Sequence, residues 1–137
     1  MDRFVKNFIV MSILYLTVSS VLGIIMIGNE KLVTLRFVHS HLMLLGWVSM
    51  MIYGVGYHIL PRFMGRQLKS RAVGETQFWF ANIGLIGMVV FYTANIYNPA
   101  RIYKTLTVAS GILEVFSIVL FFYNMLATIL PKAEQPH

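Results

Sequence analysis

The stretch Phe37–Leu60, FVHSHLMLLGWVSMMIYGVGYHIL, runs 24 residues without an Asp, Glu, Lys or Arg and stops at Pro61-Arg62. At a rise of about 1.5 Å per residue, a helix of that length crosses a hydrocarbon core of about 30 Å. Three further stretches qualify, from about Phe8 to Ile27, Phe78 to Tyr97 and Leu106 to Leu130. The first closes at Gly28-Asn29-Glu30-Lys31, the third at Asn98-Pro99 and the fourth at Pro131-Lys132. Proline cannot continue a helix and disfavours helical geometry in the residue before it, so backbone chemistry marks three of the four ends. The spans take up nearly the whole chain, which therefore reads as one all-α domain, residues 1–137, of four transmembrane helices.

Composition agrees with that reading. Of the 137 residues, 58% are hydrophobic and 12% charged, about half the charged fraction of a soluble domain. The chain has no cysteine, which removes disulfides and thiolate metal sites. The net charge of +6 comes from 11 basic residues set in short clusters between apolar runs. Membrane proteins distribute charge this way, and nucleic acid is not an expected partner.

Arg3 and Lys6 before an apolar run could suggest a signal peptide, but the run is long and Gly28-Asn29-Glu30 makes a poor cleavage site. The first span is expected to be retained. Arg3, Lys6, Arg62, Arg66, Lys69, Arg71 and Lys132 lie on one side of the membrane, against Lys31, Arg36, Arg101 and Lys104 on the other, a count of 7 to 4. The positive-inside bias predicts an N-in, C-in bundle in the inner (cytoplasmic) membrane. Met64–Gln77 would then be a cytoplasmic loop or surface helix.

Ionisable residues within spans are costly, so each is a candidate for function. The second span holds His39, His41 and His58, and the fourth holds Glu114. His39 and His41 point about 200° apart on a helix, so each would serve a different flank. His58 lies about 28 Å along the helix from His39, at the other interface, where an ordinary hydrogen-bonded histidine is expected. Zinc wants three or four ligands, and carboxylates are scarce nearby. Haem iron needs one or two imidazoles and an apolar slot, and Gly46 is one of several small residues that would let a flat ring approach the backbone. Arg36 at the outer end is a candidate partner for haem propionates, and Glu114 for proton exchange or a hydrogen bond to an axial imidazole.

The stretch His39-Ser40-His41-Leu42, followed by Gly46-Trp47 and by Gly54-Val55-Gly56-Tyr57-His58-Ile59-Leu60-Pro61, resembles a haem-ligating helix of the haem–copper oxidase and nitric oxide reductase superfamily. It is similar to the tenth helix of the catalytic subunits, where a His-x-His pair serves two haems. Arg36-Phe37-Val38-His39 is also similar to that family's second helix, in which Arg-x-x-His supplies a low-spin haem ligand. The resemblance implies that His39 and His41 are axial ligands, with His39 able to play either part. It covers one helix in four. The family's catalytic subunits carry about twelve helices, and neither a His-x-x-x-Tyr nor a His-His element occurs here, so a complete dinuclear oxidase centre is not expected.

The expectation is a small membrane b-type cytochrome, binding haem b non-covalently through His39 and His41, for electron transfer or diatomic gas binding. Because one protomer cannot easily close a bis-imidazole site with residues 200° apart, a homo-oligomer is implied. A trimeric ring is favoured and a dimer is possible. The competing reading is a cofactor-free subunit that stabilises or assembles a larger respiratory membrane complex. A transporter is disfavoured by the single buried carboxylate and the lack of paired broken helices.

Overall fold

The computed structural model describes residues 1–130, and the expected stop at Pro131-Lys132 lies outside them. Four helices are long and apolar enough to cross a membrane: α1 (Arg3–Gly28), α2 (Glu30–Phe63), α3 (Arg71–Tyr97) and α4 (Arg101–Ile129). They form two hairpins. α1 packs against α2, and α3 packs against α4 in the most extensive contact of the bundle.

The α3–α4 contact follows from side-chain size. Gln77, Ala81, Gly84 and Met88 are buried on α3, and Glu114, Ser117, Phe121, Asn124 and Thr128 are buried on α4, whereas Gly74 of α3 is closed by Phe4 of α1. Both rows alternate steps of three and four residues, which keeps them on one helical face. Helices in lipid gain little from the hydrophobic effect and associate instead through close packing of small residues and interhelical hydrogen bonds. The fit is tight at Gly84, where a Cβ would lie 2.9 Å from the Glu114 backbone nitrogen and 3.0 Å from the Ser110 carbonyl oxygen.

Towards the end of the bundle near the chain start, six aromatic rings bind all four helices together. Phe8 meets Tyr53 at 5.5 Å and Phe78 at 5.1 Å between ring centroids, and Phe4 meets Tyr57 at 5.2 Å. Phe121 of α4 completes the cluster against Tyr53 at 4.7 Å and Tyr57 at 5.3 Å. Most of these are edge-on contacts, which the ring quadrupole favours.

α2 is not a uniform helix. It opens with a 3-10 turn (Glu30–Leu35), continues as α-helix (Arg36–His41), widens to a π-helix (Leu42–Ser49) and returns to α-helix (Met50–Phe63). The buried residues Val38, Leu42, Gly46, Met50 and Gly54 advance by four. An α-helix of 3.6 residues per turn would rotate such a row by about 40° at each step. The wider π turns keep it facing the bundle, and the Ser49 hydroxyl bonds the Leu44 carbonyl five residues back at 2.9 Å.

The structure shifts several expected boundaries. Pro61 does not end α2, because it sits buried in the last helical turn. The stop comes at Gly65, whose φ of +61° suits glycine. There the Arg66 amide bonds the Pro61 carbonyl at 2.8 Å and the Gly65 amide bonds the Arg62 carbonyl at 3.0 Å, a Schellman closure. The polar connection is also shorter than Met64–Gln77. α3 begins at Arg71, with the Ser70 hydroxyl accepting from the Val73 amide at 3.2 Å, and Gln77 is fully buried.

The connection is clamped to the end of α4. Arg66 donates to the Ile129 and Leu130 carbonyls at 3.0 and 2.6 Å. Asn124 bonds both backbone groups of Ser70, accepting from its amide at 3.1 Å and donating to its carbonyl at 2.7 Å. Arg71 pairs with Asp2 at 3.5 Å, bringing the start of the chain to the same end.

Candidate functional site

His39 and His41 lie near the other end of the bundle, in the two turns before the π segment. They face different neighbours. His39 turns to α1, where its ring rests on Gly23: a Cβ there would come within 3.0 Å of His39 Cε1 and 3.4 Å of Nδ1. Glycine leaves the room that the imidazole occupies. His41 turns towards α3 through a stack of three rings, with His41 3.8 Å from Phe37 and Phe37 4.0 Å from Tyr92.

Hydrogen bonds decide the tautomer of each ring. His39 Nδ1 lies 3.0 Å from the Ser19 carbonyl oxygen and 3.1 Å from its hydroxyl, while that hydroxyl donates to the His39 carbonyl at 3.0 Å. His41 Nδ1 lies 2.8 Å from the Phe37 carbonyl oxygen. A carbonyl only accepts, so Nδ1 carries the proton in both neutral rings and Nε2 keeps its lone pair. This is the tautomer an imidazole needs to ligate a metal through Nε2, with the second nitrogen fixed by a backbone acceptor.

His58 differs. Arg62 can only donate, and it lies 2.8 Å from His58 Nε2, so that lone pair is already taken. Geometry separates His58 from the other two as clearly as its position along the helix does.

Arg36 is exposed and lines a surface groove of about 490 Å³ with Val33, Thr34, Phe37, Ser40, His41 and Tyr92. A cation and an imidazole therefore share one recess at the mouth of α2 and α3. Among the described residues, no three His, Cys, Asp or Glu side chains gather into a metal cage. The donors are single imidazoles with Nε2 unprotonated, short of the three or four ligands zinc wants.

Gly46 and Glu114 sit deeper. The ring that approaches Gly46 is Tyr15 from α1, with Leu85 beside it; a Cβ on Gly46 would lie 2.7 Å from Tyr15 Cβ. The space expected for a haem edge is filled by helix packing. Glu114 abuts Gly84, eight residues along α3 from Tyr92, a rise of about 12 Å. No hydrogen bond joins it to either histidine. Both its carboxyl oxygens are buried and lack a hydrogen-bond partner, as do the Ser117 hydroxyl and the Gln77 amide group. Nearby, the Tyr15 hydroxyl donates to Asn82 Oδ1 at 2.8 Å, while Asn82 Nδ2 donates to the Phe78 carbonyl at 2.7 Å.

Inspection of the histidine helix alone misses Ser19, Gly23 and Tyr92, because the partners lie on other spans. One signal was available for α1: Phe4, Phe8, Ser12, Tyr15 and Ser19 repeat at helical spacing and mark the face turned inward.

No family model matches the chain. Over 49 residues it is 43% identical to the cbb3-type cytochrome c oxidase subunit CcoN1 of Stutzerimonas stutzeri. That stretch is 35% of this chain and only 10% of the oxidase subunit. The likeness is local. It links a part of this multi-pass membrane protein to a cytochrome oxidase subunit.

Proposed function

We propose that the protein is a b-type cytochrome of the inner membrane, in which His39 and His41 provide axial imidazoles to non-covalent haem b. The observation that carries this reading is the matched state of the two rings. Each holds its Nδ1 proton on a backbone carbonyl and keeps the Nε2 lone pair open, on opposite flanks of one helix. The local likeness to a cytochrome c oxidase subunit supports it.

Haem held by two imidazoles supplies one-electron transfer. The chain's own groups prepare for it. Ser19 and Phe37 fix the imidazole tautomers, Gly23 leaves space for the His39 ring, and Arg36 offers a cation to propionates beside His41. Because His39 and His41 diverge, His39 of one copy and His41 of a neighbour would complete one ligand pair. A closed head-to-tail ring, in its simplest form a trimer, repeats that arrangement at every interface. Ligand binding and assembly then become one linked equilibrium.

The test is the reduced-minus-oxidised spectrum of protein expressed with an ample haem supply, with a pyridine haemochrome assay for stoichiometry. Sharp bands of a low-spin b haem are expected. His39→Ala and His41→Ala should each lose them and His58→Ala should keep them. Mixing the first two variants should restore part of the signal. A colourless wild-type protein would overturn the proposal and favour a cofactor-free assembly subunit.

A further inference from the structure

At the end of the bundle opposite His39 and His41, two recesses meet. The first, about 380 Å³, lies where the start of α1, the end of α2 and the connection to α3 converge. Arg62, Arg66 and Arg71 line it, with Asp2 as the acidic member, already paired to Arg71. Tyr57 also lines it, and the Tyr57 hydroxyl is buried without a hydrogen-bond partner. The second recess, about 420 Å³, is walled by Ile59 and Phe63 and shares His58 and Arg62 with the first. One side of Arg62 is thus cationic and the other apolar. Phe63 is 83% exposed at the level where the apolar span ends.

We propose that these joined recesses bind an anionic phospholipid, with its phosphate against Arg62 and Arg71 and an acyl chain along Ile59 and Phe63. Three arginines against one carboxylate select a net negative headgroup, and the paired Asp2 is poorly placed to receive a choline or ethanolamine ammonium. The planar guanidinium fork suits phosphate oxygens. Arg66 is engaged with the α4 carbonyls, so it shapes the recess and adds charge. Arg62 is oriented by its bond to His58 Nε2, which leaves other N–H donors of the fork for a ligand. A free phosphate ion would use the same cations, but only a lipid uses the apolar recess beside them. Basic pockets between membrane helices commonly take anionic headgroups in this way. The proposal is independent of haem.

The experiment compares dioleoyl-phosphatidylglycerol, dioleoyl-phosphatidylcholine and inorganic phosphate on the purified protein, reading bound lipid by native mass spectrometry. Phosphatidylglycerol should be retained in preference to phosphatidylcholine. Arg62→Gln and Arg71→Gln should each weaken its retention roughly fivefold, while Lys104→Gln at the far end should not change it. Phe63→Ser should weaken phosphatidylglycerol without affecting any phosphate adduct. Equal retention of the two lipids would overturn the proposal, as would phosphatidylglycerol binding that survives loss of both arginines. Displacement of the lipid by inorganic phosphate at equal concentration would also overturn it, showing an anion site only. Should the double variant fail to fold, competition on wild-type protein decides: dihexanoyl-phosphatidylglycerol should displace the bound lipid and dihexanoyl-phosphatidylcholine should not, and equal displacement by both would sink the idea.

Discussion

Replacing Gly84 with alanine tests the seam that fixes Glu114 in the bundle. The new Cβ would lie 2.9 Å from the Glu114 nitrogen, 3.0 Å from the Ser110 carbonyl oxygen and 3.1 Å from Glu114 Oε2. Two of these are backbone atoms, so no side-chain rotation relieves the overlap and α3 and α4 must separate by about 0.5 Å to restore ordinary contact. Overpacking of this kind costs about 1–3 kcal/mol, and the better helix propensity of alanine returns at most about 1 kcal/mol. A net loss of about 1–2 kcal/mol corresponds to a fall of roughly 2–8 °C in Tm. Thermal unfolding in mild detergent, followed by tryptophan fluorescence, measures it. Gly28→Ala is the control, since a Cβ there meets nothing within 4 Å. Gly111→Ala should fall between them, because its Cβ meets only the flexible Met88 sulfur at 3.3 Å. If Gly84→Ala and Gly28→Ala melt together, close approach of α3 and α4 is not what holds this half of the bundle.

Tyr15→Phe removes the 2.8 Å bond to Asn82 and leaves a buried acceptor; a loss of about 0.6–1.7 kcal/mol is expected, and an unchanged Tm would show that the bond contributes nothing. Gly23→Val should push the His39 ring off the Ser19 carbonyl, which is read as a changed His39 Nδ1 nitrogen shift in NMR of labelled protein; Gly28→Val should leave that signal in place. Gly65→Ala forces a side chain into left-handed geometry at φ +61°, at a cost of about 1–2 kcal/mol, visible as faster proteolysis at the connection after α2. Single cysteines at Gln67 and Asn98, both exposed at opposite ends of α3, should label from opposite faces of oriented vesicles, with Gln67 on the cytoplasmic face. Labelling from one face only would remove α3 as a span.

The parts of the site that could be read from the chain are those carried by a single helix. His39 and His41 are two residues apart, so their divergence follows from helical rotation and needs no tertiary information. Their separation from His58 follows equally from rise per residue. The tautomers could not be read, because the acceptor for His39 is the Ser19 carbonyl, twenty positions away on another span. Gly46 shows the opposite case. Its small size was legible, but what the size accommodates, the Tyr15 ring, depends on which helix lies opposite.

Sequence by itself determined that there are four spans, all helical, with three histidines on the second and one carboxylate on the fourth. Hydrocarbon length and the cost of charge in lipid set those features, and both act on each segment separately. Only the tertiary structure decided that α2 widens into a π-helix, that it runs through Pro61 to close at Gly65, and that Gln77 is buried. It alone placed Glu114 about 12 Å of helix rise from the level of Tyr92, against Gly84. These outcomes depend on how neighbouring helices fill space against one another. In lipid, where every apolar face is equally well solvated, that fit is what selects one arrangement of the four spans over the rest.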